Sequence, residues 1–169
     1  MAFSRLLALA GVVIGIIGLA LKSLSTSGEE LLPQLSQANE AFPDGIPTIW
    51  GGLETWAQVV LVILIIVVVV LALRPPLSAP MDTMSASVVS VIGFALMVYA
   101  IIKWMDAADK ADNLQAAFGQ AFEAGLIPEA FTVNPTAGFL ILVIGTVVVI
   151  FSGIVAITAN QSKAKAAAA

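Results

Sequence analysis

The chain has 169 residues, of which 60% are hydrophobic and 11% charged, with a mean hydropathy of +1.04 and a formal net charge of −4. A soluble domain normally carries about a quarter charged residues, so this composition excludes an ordinary water-soluble fold and points to a single membrane domain spanning residues 1–169. The absence of His and Cys removes disulfides and the usual ligands or nucleophiles of haem, iron–sulfur, ordinary zinc and Ser-His or Cys catalysis.

Arg5 precedes a charge-free run, LLALAGVVIGIIGLAL, that ends at Lys22. A basic start and an apolar middle also describe a signal peptide, but no clear A-x-A site follows, and the run reads as a first membrane helix over about 5–24. Arg5 and Lys22 are expected to snorkel toward the two interfaces. Gly11-x-x-x-Gly15, extended by Gly18, matches the small-residue pattern by which helices approach closely in lipid, either within the chain or between copies.

The segment 25–55 holds Glu29, Glu30, Glu40, Asp44 and Glu54 without a Lys or Arg. Ser27-x-x-Glu30 fits a capping box for a short helix carrying Leu31, Leu32 and Leu35, which Pro33 limits. Phe42-Pro43-Asp44-Gly45-Ile46-Pro47 reads as a turn, and Trp50 and Trp56 as interfacial anchors.

Trp56–Leu73, WAQVVLVILIIVVVVLAL, is charge-free and, at about 1.5 Å per residue, nearly spans the ~30 Å hydrocarbon core. Its Val/Ile content would favour a strand in water. In lipid every backbone group must be satisfied within the segment, so a helix over about 56–74 is expected, with much of its surface facing lipid. The proline-rich connection from Arg74 to Thr83 leads to a further charge-free run, Met84–Ile102, ending at Lys103-Trp104. This third helix, about 84–104, offers Ala86, Ser90 and Gly93 for packing.

Residues 105–134 change character. Leu114, Phe118 and Phe122 recur every four residues among Asp106, Asp109, Lys110, Asp112 and Glu123, which predicts an amphipathic helix ending near Gly125 that either continues the third membrane helix beyond the bilayer or lies along its surface. The carboxylates drift around the helix and match no metal-binding loop, so no metal or other cofactor is assigned. Thr136–Thr158 supplies the fourth span, about 135–159, with Gly138, Gly145 and Gly153 near one face.

These readings combine into an all-α integral membrane protein: an antiparallel bundle of four transmembrane helices with a small extracytoplasmic cap containing short amphipathic helices. Both termini are expected in the cytoplasm and the bilayer in the plasma membrane, from the weak excess of Arg5, Arg74, Lys163 and Lys165 over Lys22, Lys103 and Lys110. The expected function is that of a non-catalytic accessory subunit or assembly factor, with other membrane subunits or a second copy as partners and no nucleic acid. A small oligomeric channel or transporter component is the alternative. The packing residues are Gly11, Gly15, Gly18, Ser90, Gly93, Gly138, Gly145 and Gly153, and the partner surface is Leu114, Phe118, Phe122, Asp106 and Asp109, with internal packing against Leu31, Leu32 and Leu35 as the competing use of that stripe.

Overall fold

A computed structural model describes residues 1–168 of the chain. In order it contains α1 (Phe3–Ala20), strand β1 (Leu24–Ser25), a 3-10 turn (Glu29–Leu31), α2 (Leu32–Ala38), α3 (Thr55–Leu73), α4 (Thr83–Glu123), strand β2 (Asn134–Pro135) and α5 (Ala137–Ala168). Four of the helices, α1, α3, α4 and α5, are long and apolar enough to cross a membrane. This marks a membrane protein.

Local chemistry sets the helix ends. At the close of α3, Arg74 precedes Pro75 and is extended, as the steric demands of proline on the preceding residue require. Asp82 starts α4 by accepting from the Ser85 backbone N–H at 2.9 Å and the Ser85 hydroxyl at 2.6 Å. Those bonds favour the ionised carboxyl and hold its pKa below the ordinary value. At the far end of α4, Leu126 donates to Ala121 and Gly125 to Phe122, both at 2.9 Å, while Gly125 takes φ +71°. This paired arrangement needs a left-handed residue, which only glycine adopts without a Cβ penalty.

Three expected boundaries move. The first helix stops at Ala20 instead of running to 24, because Leu21 turns extended and the chain pairs with the 47–50 segment: Ile49 donates to the Leu21 carbonyl at 2.7 Å and Trp50 to Leu19 at 3.0 Å. The third helix does not end near 104. It continues unbroken to Glu123, about 60 Å in all, so its second half projects beyond a ~30 Å apolar layer. The fourth continues past 159 and carries Lys163 and Lys165 on its last turns. The Ser27–Glu30 capping box does not form: Thr26 Oγ1 accepts from Gly28 instead, and α2 begins after the 3-10 turn with Pro33 in its first turn, where a missing N–H costs nothing.

The packing centres on α5, which lies along both α1 and α4. The α3 helix touches α1 and, more lightly, α4. A Cβ built at Gly11 would lie 2.7 Å from the Gly145 carbonyl oxygen and 2.9 Å from the Val149 nitrogen, and one at Gly18 would lie 2.9 Å from the Gly138 carbonyl oxygen. Low numbers on α1 thus face high numbers on α5, so these two helices are antiparallel, and they lie close enough to leave no room for a side chain at Gly11 or Gly18. The second seam is built likewise. A Cβ at Gly153 would collide with Ser90 and the Ala86 carbonyl, one at Gly93 would lie 2.9 Å from Ile150, and the Ser90 hydroxyl donates to the Ile150 carbonyl at 3.3 Å. By contrast α3 buries only Ala57, Leu61, Val68 and Ala72.

Gly15 departs from the pattern, since the position of its missing Cβ is open space while its backbone lies against Gly145, whose own Cβ would fall 2.7 Å from the Gly15 nitrogen. The seam therefore makes the two glycines unequal. In thermal unfolding of the reconstituted protein, Gly145→Ala is expected to lower stability by about 1–3 kcal/mol through overpacking, and Gly15→Ala to leave it unchanged or raised by up to about 1 kcal/mol through helix propensity. Equal losses at the two positions would contradict this packing.

Candidate functional site

Beyond one end of the four apolar helices, residues 21–54, the second half of α4 and the 124–136 segment form a packed head. Phe118 is fully buried at its centre, with the rings of Phe42 and Phe131 each 5.3 Å from it, the latter edge-on. Leu32, Leu35, Leu114, Ile127 and Val133 complete this core. The Phe131 ring also lies on Gly28, where a Cβ would be only 2.5 Å away. Two-residue pairing of β1 with β2, Leu24 opposite Pro135 and Ser25 opposite Asn134, ties the head to the α1 and α5 ends.

The structure separates the residues read as a partner surface. Leu114 and Phe118 are buried against Leu32 and Leu35, whereas Phe122 is 47% exposed. A four-residue step overshoots the 3.6-residue turn by about 40°, so two steps carry Phe122 off the inward face. The face that is buried runs through Ala107, Ala111, Leu114, Phe118 and Ala121, alternating steps of four and three. Its alanines were invisible to a search for large apolar residues. Asp106 accepts from Lys103 Nζ at 3.0 Å, and Asp109 is exposed with no ion pair among the described residues. Of the five, only Phe122 and Asp109 are exposed, and Asp106 is partly covered.

Arg5 also departs from expectation. Instead of snorkelling it is 97% buried, or 3% exposed, and its guanidinium meets the end of α3. Nη1 donates to the Ala72 carbonyl at 2.8 Å and to Arg74 at 2.6 Å, and Nε donates to Ala79 at 2.7 Å. These carbonyls have no helical partner, and a cation at a helix C-terminus also meets the negative end of its dipole. Lys22 stays at the surface and pairs with Glu29 at 2.5 Å. Ser4, beside Arg5, is buried with an unpartnered hydroxyl.

Three spaces adjoin one another around the head end of the spans. A cleft of about 410 Å³ in the head lies between the 41–53 segment and α4, with Lys103, Asp106, Lys110 and Asn113 as its polar wall. Lys103, Ile49 and Leu53 also border a partly open recess of about 60 Å³ between the four long helices, lined by Gly15, Leu61, Val68, Leu96 and Val149 among others. Its wall is almost wholly apolar: Thr146 donates within its own helix to Val143 at 2.8 Å, and Lys103 is engaged with Asp106. Ile16, Leu19 and Ile65 are shared in turn with a groove of about 490 Å³ on the α1/α3 seam.

No group of three or more metal-ligating side chains occurs among the described residues. No known family, curated protein or solved structure matches the chain.

The head core and its exposed edge respond differently to truncation. Phe118→Ala is expected to lower the unfolding free energy of the isolated protein by about 3–5 kcal/mol, as for a fully buried aromatic. Phe122→Ala should fall within about 0.5 kcal/mol of the parent, as for an exposed position. Chemical denaturation monitored by head-specific fluorescence compares the two, and similar losses would contradict the assignment of Phe122 to the surface.

Proposed function

We propose that the four apolar helices cross the plasma membrane as an antiparallel bundle, with the head as an extracytoplasmic cap and both termini cytoplasmic, and that the protein is a non-catalytic accessory subunit or assembly factor of a larger membrane complex. The observation that carries this reading is the division of labour between the two halves. The head has its own aromatic core and holds ten of the eleven acidic residues against Lys22, Lys103 and Lys110, a net charge of about −7. Such a surface attracts cationic partners within about one Debye length, ~8 Å at physiological salt. Within the apolar spans the one buried charged side chain is Arg5, and its donors are engaged by backbone carbonyls.

The channel or transporter alternative draws less support. Translocation pathways are normally lined by polar or ionisable groups, and the space between these helices is small and apolar. The orientation rests on the Lys/Arg distribution, with Arg74, Lys163 and Lys165 at the end opposite the head.

One experiment addresses orientation and assembly together. Because the chain lacks Cys, Gln37→Cys on exposed α2 provides a unique thiol. Intact cells are treated with a membrane-impermeant biotin–maleimide, and the labelled protein is captured in mild detergent. The expected result is labelling, with at least one other membrane protein recovered in constant ratio. Absence of labelling, with label taken up after permeabilisation, would invert the orientation; labelled protein recovered alone would remove the subunit reading.

A further inference from the structure

We infer that the α1/α3 seam admits one acyl chain of a phospholipid from the head-side leaflet, whose end fills the cavity between the four helices. The groove on this seam and the inner cavity share Ile16, Leu19 and Ile65, so they adjoin along one wall. The groove is lined by Ala20, Val62 and Ile66 as well, and closes at the head end on Thr48 and Trp50. A tryptophan with a neighbouring hydroxyl is the chemistry of the membrane interface, where the ester region of a phospholipid lies, while the aliphatic wall below it matches the chain.

Size and polarity select the occupant. A dry cavity of about 150 Å³ is the scale that holds a benzene ring. The space of about 60 Å³ here is too small for any ring-bearing head group, which leaves a slender aliphatic end. Water is disfavoured as well, since a buried water needs two to four polar partners and this wall offers almost none. An unfilled void forfeits dispersion contacts along its whole lining, and the medium outside the seam is hydrocarbon.

Two features of the fold keep the entry available. Gly15 leaves open the space its side chain would occupy, and that space belongs to the cavity. In addition α3, which forms the outer wall, packs far more lightly on its neighbours than α1 or α4 packs on α5. Arg5 grips its C-terminus, and at the other end Gln58 Nε2 donates to the Trp50 carbonyl at 3.0 Å. A helix so lightly packed on its neighbours permits a chain to enter at its flank.

The test uses the full chain reconstituted in phosphatidylcholine nanodiscs that contain a phosphatidylcholine bearing a diazirine at the terminal carbon of one acyl chain. After irradiation, adducts are mapped by peptide mass spectrometry. The inference predicts adducts on the cavity-lining Leu61, Val68, Leu96 and Val149, in addition to the lipid-exposed Val59, Ile63 and Val70, and predicts that Gly15→Leu removes the inner set while the outer set persists. Adducts confined to the exposed residues in the parent protein would overturn it, whether or not the variant folds. Inner adducts that persist unchanged in a folded Gly15→Leu protein would also overturn it, because the chain would then be reaching those residues by another route.

Discussion

The close approach of α1 and α5 is the constraint on which the rest of the structure depends. In lipid, helices gain nothing from hiding apolar surface from water, so association rests on the density of van der Waals contact and on hydrogen bonds. Removing side chains from Gly11, Gly18, Gly138 and Gly145 brings two backbones together over the length of the seam. Of the four spans, α1 and α5 are the farthest apart in sequence, so this contact brings together segments more than a hundred residues apart. It places β1, immediately after α1, beside β2, immediately before α5, and from that short pairing the head is suspended. The α4 seam then uses a neighbouring strip of the same helix, through Gly153 against Ser90 and Ile150 against Gly93, with Val149 between the two seams.

Arg5 solves a different problem. The α3 helix is nearly uniform in hydrophobicity and has few small residues, so packing alone gives it little reason to prefer one position beside its neighbours. A buried guanidinium is costly unless its donors are satisfied, and here the satisfying acceptors are the unpaired carbonyls at the α3 C-terminus and in the following connection. The bond therefore locates α3 relative to α1 without requiring dense side-chain contact. At the same end, Asn160 donates to the Met81 carbonyl at 2.8 Å, so α5 holds the α3–α4 connection as well. The interior thus combines two tight seams with one loose wall, and the recess between the helices lies beside the loose wall.

Much of this was legible in the sequence because lipid imposes simple rules. Four long charge-free runs read as four membrane helices, and the small residues at Gly11, Gly93, Gly145 and Gly153 signalled close approach before any partner was known. What stayed hidden depended on tertiary context. Nothing in the run around Arg5 distinguishes a snorkelling side chain from one that caps another helix 67 residues away. Phe42, read within a turn, and Phe131, in an irregular segment, show no periodicity that would announce core positions, yet they flank Phe118. The Gly11 and Gly15 pair looked equivalent by spacing. They differ because four residues overshoot a turn by about 40°, so the Gly15 Cβ position is rotated into open space while the Gly11 position points at the α5 backbone.

The seam also decides which surfaces remain for other proteins, because small-residue faces engaged within one chain are not free to join two. The most direct measurement exploits Ser25 and Asn134, directly opposed in the β1/β2 pair and both exposed. Opposed residues of an antiparallel pair lie about 4.5–5.5 Å apart at Cα, within the range a disulfide spans. In the otherwise Cys-free chain, Ser25→Cys combined with Asn134→Cys should, on mild oxidation in the membrane, form a bridge within a single chain, seen as loss of both thiols with no change in molecular mass class on a non-reducing gel. A disulfide-linked dimer as the main product, or two thiols that stay free, would show that the first and last helices do not meet within one molecule.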